Sequence, residues 1–232
     1  MPDGLLDAAY LAERRKLIDP ARAMEKAVAG LPPGLSKRTF GIDATRESVG
    51  TSHISIVDDA GNAVAMTTTI ESAFGSHLFA AGFLLNNELT DFSFAPVDLN
   101  GVAIANAVAG GKRPRSSMAP TLVFDGNGDL EIVTGSPGGS RIILFVVKNL
   151  VAMLDWRQDV QAAAALMNFG SEGGPLQVEA GFSALWPALQ MKRYGHDISP
   201  ELMTSGTHTI MRRNGRLEGG ADPRREGVAL GD

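Results

Sequence analysis

The chain has no cysteine among its 232 residues, so neither a disulfide framework nor a thiolate metal site can be built from it. Histidine is scarce as well. Only His53, His77, His196 and His208 occur, and no two of them have metal-ligand spacing. No Gly-x-Ser-x-Gly elbow is present, which leaves a serine–histidine hydrolase poorly supported. The glycine-rich run Gly135 to Gly139 lacks the Lys-Ser/Thr ending of a phosphate-binding loop and does not fit G-x-G-x-x-G. Long hydrophobic runs are also missing. The most apolar stretch, Ile142 to Leu154, contains Lys148 and is too short to span a bilayer. The start, Met1-Pro2-Asp3-Gly4, lacks the basic-then-apolar pattern of a signal peptide. A net charge of −5 argues against nucleic acid and anionic membrane as partners. No metal and no cofactor is expected.

What is present is an ordinary globular composition, 44% apolar and 20% charged, on a chain long enough to bury a core. Residues 7 to 29 carry Leu11, Leu17, Ile18 and Met24 among charged residues, which predicts an amphipathic helix or helix pair interrupted at Asp19-Pro20. Gly30-Leu31-Pro32-Pro33-Gly34 then breaks the pattern, and an extended, polar connector runs to residue 50. From His53 the period becomes two. Hairpins are predicted for 53–57 with 63–70, for 121–124 with 130–133, and for 208–211 with 215–218. Helices are expected at about 141–154, 157–168 and 182–193. Layers of helix around strand pairs make an α+β or stacked αββα design.

Hydroxyl groups without a histidine base need another base, and a free α-amino group titrates in the useful range. Gly50-Thr51-Ser52-His53 offers one. A threonine following a glycine at a strand mouth can attack the preceding carbonyl, and hydrolysis of the ester frees an N-terminal threonine. A Gly-Thr step is equally a plain strand start. His53 reads as structural.

Five blocks in order sharpen the choice. They are Thr51 to Asp58 with Gly61-Asn62-Ala63-Val64; Phe74-Gly75-Ser76 with residues 84–92; Lys112-Arg113-Pro114-Arg115-Ser116-Ser117-Met118-Ala119-Pro120; residues 134–143; and residues 219–227. Together they resemble the C-terminal part of γ-glutamyltranspeptidases, which are N-terminal nucleophile hydrolases. The resemblance implies an αββα sandwich, incomplete where most of a large-subunit segment is lacking. Residues 1–50 would be the end of that segment and 51–232 the small-subunit catalytic domain.

It further implies that Thr51 is the nucleophile of self-cleavage and of catalysis, and that Thr69 hydrogen-bonds it. Gly138 and Gly139 would supply oxyanion N–H groups at the start of a helix. Glu88 and Asp91 would hold the substrate α-amino group, and Ser116 and Ser117 its α-carboxylate, with an arginine from the large subunit. Glu71 stands where the family usually has asparagine. It would crowd three acids together and bears on substrate preference. Each position has a plainer reading: strand propensity for Thr69, a solvated turn for Glu88 and Asp91, and loop self-bonding for the serines. The expected activity is cleavage of γ-glutamyl amides with water, an amino acid or a peptide as acceptor. The alternatives are an acylase of different amide specificity and a non-catalytic fragment that needs its partner segment. A periplasmic or secreted location would follow from the family if an upstream segment exists.

Overall fold

The computed structural model describes residues 3–37, 39–45 and 50–231. After a 3-10 turn at Asp3–Leu6, helix α1 covers Ala8–Arg15. Asp7 caps it by accepting from the Tyr10 amide at 2.8 Å. The arm is much less helical than its periodicity predicts. Pro20 has no N–H to continue a helix, and the Asp19 carboxylate accepts from the Ala21 amide at 2.8 Å, closing a turn instead.

Eleven strands follow among the described residues: β1 Thr51–Val57, β2 Ala63–Thr69, β3 Phe79–Ala80, β4 Phe83–Leu84, β5 Thr121–Phe124, β6 Leu130–Gly135, β7 Phe169–Gly170, β8 Leu176–Glu179, β9 Ile198–Glu201, β10 His208–Arg213 and β11 Arg216–Ala221. Helix α2 is Ile142–Leu154, α3 is Val160–Ala165 and α4 is Leu185–Arg193. The three long hairpins and the helices at 142–154 and 185–193 lie within a few residues of expectation. The short strands β3, β4, β7, β8 and β9 were not expected.

The centre is a four-stranded antiparallel sheet in the order β11-β10-β6-β5. One face carries α2 and α3, and there Ile132, Ala152, Met153, Val160, Ala163 and Met211 form the apolar core. Beneath α2, Asn149 donates to the hydroxyls of Thr134 and Thr209 at 3.2 and 2.8 Å, a buried polar knot inside the apolar layer. The β1–β2 hairpin lies on the opposite face.

The hairpin's apolar and buried faces are inverted. Thr51, His53 and Ser55 point inward, while Ile54, Ile56, Val64 and Met66 are exposed. The inward face bonds directly to the sheet: the Ser55 hydroxyl lies within reach of the carbonyls of Val133 and His208 at 3.3 and 3.0 Å. His53 sits so close to Gly135 that a Cβ there would fall 2.2 Å from the imidazole. Small and polar side chains let the two layers approach this closely.

The tail closes the structure. The Arg224 guanidinium pairs bidentately with Glu179 on β8, both contacts 2.6 Å, and with Asp222 at 2.9 Å. It also donates to the Leu166 carbonyl at 3.0 Å, just beyond α3.

Candidate active site

Thr51 begins β1 and is buried, with Thr69 opposite it in the register of the hairpin. The Thr69 hydroxyl donates to the Gly50 carbonyl at 3.3 Å and accepts from the Glu71 amide at 2.9 Å. Thr69 therefore faces the carbonyl of the Gly50–Thr51 bond. A Cβ at position 50 would lie 2.3 Å from the Glu71 carbonyl oxygen, so only glycine fits this approach. The Thr51 carbonyl accepts from Arg225 in the tail at 3.4 Å.

One pocket gathers Thr51, Thr69, Glu71, Glu88, Asp91, Arg115, Ser116, Ser117, Met118, Gly139 and Ile142. Eight of the nine residues expected from the sequence thus come together from segments spread between Thr51 and Ile142. Gly138 is not part of the lining. It has φ +142°, and a Cβ there would meet the Phe145 ring at 2.5 Å. Gly139, with φ +61°, opens the 3-10 turn that leads into α2.

The acids sit close together. Glu71 has φ +71°, a left-handed conformation that favours glycine or asparagine over glutamate. Asn87 donates from its side-chain amide to the Glu71 carboxylate and to the Thr90 hydroxyl, while its own carbonyl accepts from the Ser72 amide. Burial raises the Glu88 carboxyl above its ordinary range, and the charges of Asp91 and Glu71 raise it further. Asp91 is raised by burial and by Glu71, with Arg115 pulling the other way.

The third wall joins the serines to the chain before Thr51. Asn106 donates to the Asp91 carbonyl at 2.6 Å and to the Asp43 carboxylate at 3.1 Å, and accepts from the Arg115 amide at 3.0 Å. Burial opposes ionisation of Asp43, but hydrogen bonds from Thr45, Asn106 and Ser93 outweigh it and hold the carboxyl at about 2. His53 is buried between Thr67 and Ser55, with ring nitrogens 2.8 and 3.1 Å from their hydroxyls, and does not line the pocket. Sequence reasoning missed Asn87, Asn106 and Arg115 as parts of the site. Arg115 had one visible signal, its place beside the serine pair in a basic block.

The sequence profile described as Gamma-glutamyltranspeptidase matches residues 1–232. The chain belongs to the gamma-glutamyltranspeptidase family. Among relatives of this gamma-glutamyltranspeptidase-family chain, the glutathione hydrolase proenzyme of Escherichia coli strain K12 is 40% identical over 190 residues, which are 78% of this chain and 32% of that protein. The glutathione hydrolase proenzyme of Pseudomonas aeruginosa is 34% identical over 227 residues, 93% of this chain and 40% of that protein. The chain thus spans about a third of the length of the curated relatives it matches. Among solved structures, a threonine-to-alanine variant of Helicobacter pylori gamma-glutamyltranspeptidase superposes with TM-score 0.63 at 34% identity, covering 75% of this chain and 99% of that one. A cephalosporin acylase from Bacillus halodurans gives TM-score 0.74 at 25% identity, over 97% of this chain and 38% of that one. The fold is the α+β N-terminal nucleophile hydrolase architecture of these neighbours. No helix among the described residues is long and apolar enough to cross a membrane.

Proposed function

We propose that this chain carries the nucleophile and most of the donor site of a γ-glutamyl hydrolase and transferase, activated by self-cleavage at Gly50–Thr51. The observation that carries this reading is the junction itself: Thr51 lines a pocket while a hydroxyl donor faces the carbonyl it would attack. In the first step the Thr51 hydroxyl adds to the Gly50 carbonyl carbon, with Thr69 stabilising the oxygen. The C–N bond breaks as the amide nitrogen takes a proton, leaving Gly50 as an ester on Thr51. Water hydrolyses that ester, releasing the Gly50 carboxylate and the Thr51 hydroxyl, so that Thr51 stands as an N-terminal residue with both its amine and its hydroxyl free.

In turnover the amine serves as base for the neighbouring hydroxyl. The hydroxyl attacks the γ-carbonyl of a glutathione-like donor, the leaving amine departs protonated, and a γ-glutamyl ester remains on Thr51. Water or the amino group of an acceptor then takes the acyl group. The Gly139 amide, with that of Gly138, supplies N–H donors to the oxyanion at the entrance of α2. Glu88 and Asp91 receive the donor's ammonium group, with Glu71 behind them, and Ser116 and Ser117 its carboxylate. Residues 1–50 read as the end of a large-subunit segment and 51–232 as the small-subunit catalytic domain, with the remainder of the large-subunit segment as partner. A second reading, an acylase removing a dicarboxylic side chain, has support from the likeness to the cephalosporin acylase and from Glu71, which departs from the family's asparagine.

The test is intact mass after purification, together with release of p-nitroaniline from γ-glutamyl-p-nitroanilide and glutaryl-p-nitroanilide. We expect fragments ending at Gly50 and beginning at Thr51, little γ-glutamyl release from the chain alone, and, once the rest of the large-subunit segment is supplied, faster release from the γ-glutamyl than from the glutaryl anilide. Thr51→Ala should abolish cleavage and turnover, and Thr51→Ser should keep part of both. Undiminished processing in the alanine variant would remove the proposal, and faster glutaryl release would favour the acylase.

A further inference from the structure

We infer that Lys148 is a positioning residue for the acyl-transfer site: its buried side-chain amine, acting through Asn168 and Ser205, fixes the 203–207 segment to which both the glycine loop before α2 and the carbonyl of Thr51 are held. This rests on the reading above, although Lys148 does not line the pocket and takes no part in the steps given there.

A lysine on a helix ordinarily reaches water, yet Lys148 on α2 is only 4% exposed. Its amine donates to the Leu166 carbonyl at 2.8 Å and to the side-chain carbonyl of Asn168, just before β7, at 3.0 Å. Burial pushes it down to about 8, and Arg224 on the tail adds to the effect; Asp222, also on the tail, and Glu179 on β8 oppose it. A methionine would fill the same space with no charge to desolvate, so the charge works against stability at neutral pH. The Leu166 carbonyl has a second donor in Arg224, at 3.0 Å. What Lys148 alone supplies among the described residues is the donor to Asn168.

That donor sets the direction of the Asn168 amide. An ammonium group can donate and cannot accept, so it admits the carbonyl of Asn168 and refuses its NH2. With the carbonyl so held, the NH2 donates to the Met203 carbonyl at 3.2 Å and to the Ser205 hydroxyl at 2.8 Å. Ser205 in turn donates to the Asp222 carboxylate, which also accepts from the Thr207 amide at 3.4 Å. Asn168, Ser205, Thr207 and Asp222 are all buried, so water is no ready substitute for any of these bonds.

The 203–207 segment meets the site at two points. The Gly206 amide donates to the Ser136 hydroxyl at 3.2 Å, and that hydroxyl to the Pro137 carbonyl at 2.7 Å, one residue ahead of Gly138 and Gly139. The approach is so close that a Cβ on Gly206 would lie 2.7 Å from the Pro137 ring. On the other side Arg225 donates from Nη2 to the Thr204 carbonyl and from Nη1 to the Thr51 carbonyl, both at 3.4 Å. Nucleophile and oxyanion loop are thus tied to one segment, and that segment to one amide whose direction Lys148 sets. Misplacing reacting groups by about 1 Å costs about 100-fold in rate.

The experiment compares the full chain with its Lys148→Met, Lys148→Gln and Ser205→Ala variants. Self-cleavage is timed on denaturing gels; amide hydrogen exchange by NMR and urea unfolding are measured on the Thr51→Ala background, where processing is silent. We expect Lys148→Met to slow self-cleavage by about 10- to 100-fold. It should speed exchange of the Gly206 and Thr207 amides by about 10-fold, the effect of losing about one buried hydrogen bond. Exchange in the β6–β10 ladder should change by less than about twofold, and the urea midpoint should be unchanged or higher. The double variant Lys148→Met/Ser205→Ala should be slower than the slower single by no more than about twofold, because both act along one path. Lys148→Gln keeps an N–H donor on a shorter chain, should fall between wild type and methionine, and carries the same comparison if the methionine variant does not fold. Unslowed self-cleavage in a folded variant, slowing that multiplies in the double variant, or faster exchange spread evenly through the β6–β10 ladder would overturn the inference. No self-cleavage by the wild type, with faster exchange confined to Gly206 and Thr207 in the variant, would sink the acyl-transfer reading and leave the coupling from Lys148 to this segment standing.

Discussion

Replacing Thr69 by valine keeps the shape of the side chain and removes only its hydroxyl. Two contacts disappear with it: the donor 3.3 Å from the Gly50 carbonyl and the acceptor of the Glu71 amide at 2.9 Å. If the first contact stabilises the oxyanion of self-cleavage, its loss should slow processing. Removing a single preorganised donor typically costs about 10²–10³ in rate. The 3.3 Å distance is long for an O–H···O bond, so the lower end, about 100-fold, is expected. The second contact bears on stability rather than rate. Glu71 is 9% exposed and already strained at φ +71°. An unpaired amide there should lower unfolding free energy by about 1–3 kcal/mol. Both effects can be read separately, the first from the time course of fragment appearance on denaturing gels, the second from urea unfolding on the Thr51→Ala background, where processing is silent. Thr69→Ser keeps both contacts and should lie close to wild type. Wild-type processing in a folded Thr69→Val chain would show that this hydroxyl does not act on the Gly50 carbonyl.

Two further perturbations follow from the charges. Burial, with the charge of His208 adding to it, depresses the His53 imidazole from 6.5 to about 4, so the folded state binds fewer protons than the unfolded chain between those values. Its contribution is present above pH 6.5 and is lost as pH falls toward 4, at most about 3 kcal/mol at ~1.4 kcal/mol per pKa unit. Glu88 and Asp91 are raised and act in the opposite sense, so the clean measurement is the difference between wild type and His53→Gln in urea melts from pH 7.5 to 4.5; parallel curves would refute it. Glu71→Asn removes one of the charges that raise Glu88 and Asp91 and places at φ +71° a residue that tolerates it. The acid limb of the KM profile for γ-glutamyl-p-nitroanilide should move to lower pH, and the γ-glutamyl to glutaryl turnover ratio should rise; an unchanged profile and ratio would show that this position does not set specificity.

Local alternation was enough to locate the three long hairpins, because turn residues such as Gly61-Asn62 and Gly126-Asn127-Gly128 bound each pair. The same pattern does not decide which face is buried. On β1 and β2 the apolar residues Ile54, Ile56, Val64 and Met66 point outward, since the close approach of the hairpin to Gly135 admits only small and hydrogen-bonding side chains on the inner face. The arm failed for a different reason. Its apolar residues recur at helical spacing, but Asp19-Pro20 ends the helix chemistry, and nothing among the described residues buries Leu17, Ile18 or Met24. The two- and four-residue strands β3, β4 and β7 to β9 are too short to show a period.

For the site, the residue types and their order along the chain were decided by sequence. A glycine before a threonine, an acidic turn, a serine pair and a glycine-rich helix entrance are each written locally, and their succession carries the family. What joins them is not local. Thr51 meets Ser116 and Gly139 only because β1 lies across β6 and β10, and Asp91 faces Arg115 only because Asn106 bonds to both. Asn87, Asn106 and Arg115 are ordinary loop residues in a string of letters. Their importance comes from partners 9 to 70 positions away, and hydrogen bonds over such distances exist only once the chain has been brought back on itself.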